Sequence, residues 1–515
     1  MNAMLNKALA ATAAAAVALM LSACAVPPAQ HADLPQSVKT LAPDAWSVAA
    51  PQDTVDAQAW WARFGDPVMH ELIESVLNSN LDVQAAVERV TQAQQQTKQQ
   101  RAALLPQLDA SAAVSHTRQI LPPPLGYVDA AGVGVAANWT PDVFGGERLA
   151  VLAAQAQTTG RASALNELRL ALAANTAAAY IDLRWAQSEL QILNDNEQIR
   201  SRALKLTQDR LRYGLSTQLD VARAQNQLQD LQARIPRVQS EVQHQLSLIA
   251  VFSGRTPESV QNLMLSAPGA IPVPSLGVPQ TLPSEALLRR PDVLTAYAKV
   301  QQRAAEVGVS RAQRYPQFNL SLTDGLLAAS WVGAPTLTDN LFSAALSATA
   351  PIFSAGRITA NINENESRMR ESQLGLNQTM LNALKEIEDT RSDLVSGATQ
   401  VDRLSGALDS SSKALRLSTQ LYKGGASSFL DVLDAQQAYL IDAESLNQAK
   451  RAHAQSAVAL YRSLGGGWSV AEPGTADATA GDAKAAAGTT GPAPQTRASA
   501  STTASTTADA SVAAQ

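Results

Sequence analysis

The stretch Tyr213-Gly214-Leu215-Ser216-Thr217, continued by Leu219-Asp220-Val221 and Ala224-Gln225, returns 211 residues later as Gly425 followed by Leu430-Asp431-Val432 and Ala435-Gln436. Moving outward from it, nearly the same offset recurs. Asn80-Leu81-Asp82-Val83 with Ala86 returns as Arg290-Pro291-Asp292-Val293 with Ala296, and Arg101-Ala102 with Pro106-Gln107-Leu108 returns as Arg311-Ala312 with Pro316-Gln317-Phe318. Phe144 and Arg148 return as Phe353 and Arg357. Chance supplies one such match but not an ordered series at offsets of 209 to 211, so the chain is a tandem duplication.

Each copy carries one long proline-free stretch, from Gly145 to Ile235 and from Ile352 to Glu472. Apolar residues recur there three and four apart, which predicts long helices. Leu228, Leu231, Ile235, Val238, Val242 and Ile249 form one seam, and Leu384, Ile387, Leu394, Val401, Leu404, Leu408 and Leu415 another. A spacing near 3.5 makes such a seam follow a partner helix in a left-handed supercoil. A helix over 145–212 extends ~100 Å at about 1.5 Å per residue. Glycine interrupts each stretch once, at Gly214 and at Gly424-Gly425, with Ser and Thr following to cap a new helix. The matched placement favours the tips of helical hairpins over simple kinks.

Between the proline landmarks and the long helices the period changes from 3.5 to 2. Leu108, Ala110, Ala112 and Val114 alternate with Asp109, Ser111, Ala113 and Ser115; Val133, Val135, Ala137 and Trp139 alternate with Gly132, Gly134, Ala136 and Asn138. The second copy repeats this with Phe318, Leu320 and Leu322, then Phe342, Ala344, Leu346 and Ala348. Four strands of about 9–11 residues have the length that crosses a bilayer at a tilt. Four strands cannot seal a barrel, since the smallest need about eight, so the chain must oligomerise; the count alone leaves a dimer and a trimer open. A hairpin pair on a soluble sheet is the other reading of the pattern.

The composition excludes several classes. Aromatics are 4% of 515 residues, and the formal charge of -5 comes from interspersed rather than grouped basic and acidic residues, which offers no field for nucleic acid. The N-terminus reads as a signal peptide over 1–23, with Lys7, an apolar run from Ala8 to Leu21 and small residues before Cys24. Leu21-Ser22-Ala23-Cys24 looks like a bacterial lipobox, which implies cleavage before Cys24 and a lipid on it as the one non-protein group expected. Ala25 rather than Asp favours the outer membrane. After the leader no run of about 18–20 apolar residues occurs. Residues 24–65 read as a lipidated, extended segment, 66–252 as the first repeat, 253–283 as a proline-rich connector that no continuous helix spans, 284–467 as the second repeat, and 468–515 as a disordered Ala/Thr/Ser-rich tail.

Tyr422-Lys423-Gly424-Gly425 leading to Leu430-Asp431-Val432-Leu433-Asp434-Ala435-Gln436 resembles the periplasmic tip motif of TolC-family outer-membrane factors. Trp60-Trp61-Ala62-Arg63-Phe64-Gly65-Asp66-Pro67, Leu288-Arg289-Arg290-Pro291-Asp292-Val293 and Pro351-Ile352-Phe353-Ser354-Ala355-Gly356-Arg357 look like hallmarks of the lipoprotein branch, similar to NodT and OprM. The resemblance implies an α+β membrane channel and a passive exit duct of a tripartite, RND-type efflux system. In such a homotrimer twelve strands, four per chain, close one outer-membrane β-barrel, continued by a long periplasmic α-helical barrel. It implies a periplasmic adaptor docking at the tips, here Tyr213, Gly214, Leu215, Lys423, Gly424 and Gly425, and an inner-membrane RND transporter as the energy source. It further implies a pore constriction at Asp431 and Asp434, with Asp220 beside it. Ser427 stands where certain relatives have a basic residue that pairs with the first copy's aspartate, a departure that bears on any lock to Asp220. On physical grounds, carboxylates at the first turn of a helix also complement its dipole. A periplasmic adaptor or a structural coiled-coil lipoprotein are the alternative readings.

No catalytic pattern appears. The five histidines are dispersed; His70-Glu71-Leu72-Ile73-Glu74 lacks the second histidine of a zinc motif and reads as a solvated helix face. No phosphate loop, nucleophile elbow or dinucleotide fingerprint occurs. The expectation is no enzyme, no metal and no bound cofactor beyond the lipid.

Overall fold

A computed structural model describes residues 26–48, 52–53, 60–119, 126–265, 269–273, 278–279, 281–331 and 336–466. The signal peptide, Cys24 and the tail 468–515 lie outside the described residues. Contacts divide the chain into Met1–Trp468 and Ser469–Gln515, and every described residue belongs to the first unit.

Alternating side chains build the sheet. Strands β2 (Gln107–Gln119), β3 (Gly126–Trp139), β5 (Gln317–Trp331) and β6 (Leu337–Thr349) pair antiparallel in the order β2-β3-β5-β6. The register sets Ala110 opposite Val135, Val135 opposite Asp324, and Asp324 opposite Phe342, so the apolar positions of all four strands share one face. Along β3 this face is the more exposed one, and the small residues Gly132 and Gly134 lie on the other. The strands are 13 to 15 residues long, not 9–11. Apolar alternation marks only part of each; the ladder runs on into polar ends where His116 pairs with Asp129. Among the described residues neither β2 nor β6 has a second partner, so both edges of the sheet are free.

Below the sheet lie the two long helices, α4 (Gly146–Arg212) and α9 (Arg357–Gly424). Each starts behind a glycine in the left-handed region, Gly145 at φ 86° and Gly356 at φ 84°. The shorter helices α3 (Leu81–Ala102) and α8 (Pro291–Ala312) lead into the strands, and α5 (Gln218–Phe252) and α10 (Phe429–Ser463) return from the glycine turns. Helix α3 packs on α4, and α8 on both α4 and α9; farther from the sheet α5 packs on α4, and α10 on both α4 and α9. In the heptad seam of α5, Leu231, Val238, Val242 and Ile249 are buried, joined by Leu246, while Leu228 and Ile235 are half-buried. Pro236 does not end this helix, because it sits on the exposed side, where water reaches the carbonyl it leaves unbonded.

The two segments expected to be irregular carry structure. Residues 24–65 contain α1 (Leu34–Leu41), β1 (Gln52–Asp53) and a 3-10 turn at Trp60–Phe64; the connector 253–283 contains α6 (Pro257–Leu265) and β4 (Val278–Pro279), which pairs parallel with β1. Helices α2 (Pro67–Ser79) and α7 (Pro283–Arg289) complete this belt. Its elements are too short to show a period, and tertiary contacts fix them: Trp60 stacks on Tyr461 with ring centroids 5.7 Å apart, and Glu388 accepts the backbone N–H groups of Ser47 and Val48. The buried Arg290 guanidinium binds Asp292 and Glu386, each at 2.8 Å, and donates to Ser463 O at 2.6 Å, which fastens the start of α8 to α9 and α10. From α1 the chain climbs toward the sheet: Ala29 N donates to Ala304 O and Val26 N to Phe144 O.

Candidate functional site

The two glycine turns lie together at the sheet-distal end. The local sequence makes each of them. Gly214 (φ 71°) lets Leu215 N donate to Arg210 O at 2.8 Å, and Gly425 (φ 74°) lets Ala426 N donate to Leu421 O at 2.9 Å, so both helices close with the same backward bond. Gly424 is the last residue of α9 and has no such conformational need.

Both returning helices begin with a capping box. Thr217 and Asp220 cap α5, and Ser428 and Asp431 cap α10. One carboxylate oxygen of Asp220 accepts from Thr217 N at 3.1 Å, Thr217 Oγ1 at 2.8 Å and Ser216 Oγ at 3.1 Å. Asp431 likewise accepts from Ser428 N and Ser428 Oγ, each at 2.9 Å. Partial burial works against the charge on Asp220, but the bonds from Thr217 and Ser216, with Arg223 nearby, outweigh it and hold the carboxyl below its ordinary range. Asp434, three residues beyond Asp431, carries no hydrogen bond or ion pair among the described residues. Of the three aspartates singled out by sequence, two are therefore occupied at helix caps and one is free.

Contacts between the tips join Arg210, which the sequence reading did not select, to Tyr422, the first residue of the quoted tip motif. Arg210 Nη1 donates to Tyr422 O at 2.9 Å and to Lys423 O, while its guanidinium lies 4.7 Å from the Tyr422 ring centre. The Tyr422 hydroxyl lies 3.4 Å from Ser216 Oγ, which itself donates to Asp220. Ser427 reaches only Ser418 O on its own hairpin. An arginine one turn before a glycine is a common helix-end residue, and only its meeting with Tyr422 in space marks it. At the surface of the turns Tyr213 is 80% and Leu215 62% exposed, large apolar side chains that no described residue covers. Lys423 is exposed too.

His70, Glu71 and Glu74 lie exposed on α2. Among the described residues no helix is long and apolar enough to cross a membrane.

Comparison with known proteins agrees with this geometry. The family model described as "Outer membrane efflux protein" matches residues 72–254 and 282–466. The chain is similar to the pyoverdine export outer membrane protein OpmQ of Pseudomonas aeruginosa, 29% identical over 466 residues, covering 87% of this chain and 95% of that one. It is similar to nodulation protein T of Rhizobium leguminosarum bv. viciae, 28% identical over 485 residues, covering 91% and 96%. Among solved structures, the outer-membrane channel OprN superposes with a TM-score of 0.76 at 26% identity, covering 86% of this chain and 97% of that one. The adaptor and coiled-coil alternatives find no support in these matches.

Proposed function

We propose, for a chain that belongs to the outer membrane efflux protein family, that three copies close one twelve-stranded barrel in the outer membrane and continue it as a twelve-helix periplasmic duct. Efflux across the outer membrane is the family's work, and the chain is a conduit rather than an enzyme. One observation carries the proposal for closure. A ring contact between the two repeats inside the chain has exposed counterparts at its outer borders. Inside, Phe144 stacks on Tyr315 with centroids 4.8 Å apart and on Phe318 at 6.5 Å. The duplicated positions are Phe353, Leu105 and Leu108, which are 88%, 65% and 73% exposed. They can repeat that contact only between copies.

The same transfer gives a register. Strand β3 pairs with β5 inside the chain, and the two hairpin ladders, Gln107 opposite Asn138 and Gln317 opposite Thr349, set the offsets at 210 and 211; shifting by them sets Ala348 of one copy opposite Ala112 of the next, and Leu346 opposite Val114. All these positions belong to the apolar face, so the inferred seam keeps one face for lipid. Closing the edges also pairs backbone groups that cost several kcal/mol each if left unsatisfied in hydrocarbon.

Further parts of the reading rest on the family and on geometry. A lipid on Cys24 fits the course of the chain, since Val26 is bonded to Phe144 at the junction of sheet and helix. The exposed Tyr213 and Leu215, with Lys423 beside Gly424 and Gly425, suit end-to-end docking of a periplasmic adaptor, which an inner-membrane RND transporter would supply with cargo. Docking pulls the hairpins apart against the Arg210 to Tyr422 tie, and Asp434, with Asp431 and Asp220 near it, lines the entrance.

The test is paired cysteine substitution, Ala112→Cys with Ala348→Cys, in a chain whose Cys24 is retained for its lipid. Oxidation is expected to yield covalently closed oligomers in outer-membrane fractions. Monomers alone, beside efficient cross-linking of Ala112→Cys to Val133→Cys within the chain, would contradict the seam.

A further inference from the structure

We infer that the cavity behind the glycine turns is a binding site for a small amphiphilic anion, a molecule with an aromatic or alkyl body and a carboxylate, sulfonate or phosphate head. The cavity measures about 570 Å³ and is walled by α4, α9 and α10. Its volume lies in the range of small-molecule sites, about 300–1,000 Å³. Leu206, Tyr422, Phe429 and Val432 make it predominantly apolar, and the last three are buried.

The charge at its border decides the class of ligand. Arg202, Arg416 and Lys423 line it, and no Asp or Glu does. Among the described residues none of these three cations is paired with a carboxylate. Arg202 Nε donates to Gln198 O at 3.1 Å, Arg416 Nη1 donates to Ser412 Oγ at 2.9 Å, and Lys423 Nζ carries no bond. Three cations from two helices therefore face one apolar hollow with most of their donors unused. Some exposed cations elsewhere on the long helices are matched one turn away, as Lys385 is by Asp389, Lys413 by Asp409 and Arg368 by Glu364. An apolar body with an anionic end satisfies both the hollow and its rim, whereas a neutral or cationic amphiphile leaves the rim unpaired.

The site lies on the opposite side of α10 from the free aspartate. Residues 429, 432 and 436 line the cavity, and at 100° per residue Asp434 projects away from them. An occupant would bridge α4 to α9 and α10 without entering the space that Asp434 faces. It would hold the two hairpins in their present arrangement. The inference stands on the cavity of one chain and does not depend on the number of copies.

Calorimetric titration of the full chain in lipid nanodiscs tests it, with naphthalene-2-sulfonate as probe, empty nanodiscs as blank, and trimethyl(2-naphthyl)ammonium as the cationic control. Saturable binding near one site per chain is expected for the sulfonate and none for the ammonium ion. Replacing Arg202, Arg416 and Lys423 together by Gln should weaken it roughly tenfold, since exposed charge contacts are individually weak. Ala203→Trp, which fills the cavity, should abolish it. These three exposed cations are not needed for folding, so their variant remains informative if the tryptophan variant fails to assemble. Binding that does not saturate, that is equal for the two probes, or that falls less than threefold in the Gln variant would overturn the assignment.

Discussion

Asp220 and Asp431 show how one residue type serves two demands. Their carboxylates are turned back onto Thr217 and Ser428, so their first task is to begin a helix immediately after a turn. Removing such a cap costs about 0.5–2 kcal/mol. Asp431→Ala should therefore speed hydrogen exchange at the start of α10, while Asp434→Asn should leave exchange unchanged and lower the cation preference of single channels in planar bilayers. Equal cation preference in wild type and Asp434→Asn would remove Asp434 from the entrance. Acidity separates the cap in a second way. The Asp220 carboxyl is held below its ordinary value of about 3.9, so its contribution is complete above that value and is lost as pH falls through its lower, folded value. Exchange at the start of α5 should accelerate below about pH 4 in the wild type and be flatter with pH in Asp220→Asn.

At this scale the sequence was only partly informative. The glycines, the aspartates and the capping hydroxyls were legible because local spacing specifies them. Arg210 and its tie to Tyr422 were not, because the contact joins positions more than two hundred residues apart and Arg210 does not depart from ordinary helix-end composition.

Among the elements, the strands carry two features that alternation alone conceals. Gly325 and Gly134 lie opposite each other, and a Cβ on Gly325 would sit 2.6 Å from Val133 O and 2.9 Å from Gly134 Cα. The backbones approach on the side carrying the small residues, where the wall of the proposed barrel would curl inward. Gly325→Val should therefore prevent assembly of heat-stable oligomers, whereas Gly375→Val, in an open position on α9, should not block it. Asp324 shares the apolar face with Leu322 and Leu326, between Val135 and Phe342 on the neighbouring strands. A carboxylate facing lipid at mid-strand costs less than the ~2–4 kcal/mol of a basic residue there, but it does cost. Asp324→Leu should raise the melting temperature of the oligomer; a lower one would mean that the face meets something other than lipid. The helix periods and strand alternation were readable because each repeats over many residues. The belt around Trp60, Tyr461 and Arg290 was not, since its elements are short and held by distant partners.

For the whole molecule, duplication is the organising fact. Helix α4 packs on α8 and α10 of the second repeat as well as on α3 and α5 of its own, while α9, a helix of nearly the same length, offers Leu374, Leu381, Leu417 and Leu421 to solvent. The inner seam is thus a template for an outer one, in the sheet and in the helices alike. Breaking one outer contact should be felt throughout: Phe353→Ser is expected to weaken oligomers in detergent without altering the circular dichroism of the helices. In the proposed assembly the two free edges of the sheet are closed by further copies, whose number is left to be measured. The most direct measurement is native mass spectrometry of the full-length protein released from lipid nanodiscs. Three chains per particle is the expected result, and particles of one chain, or of any number other than three, would contradict the twelve-stranded barrel and its twelve-helix duct.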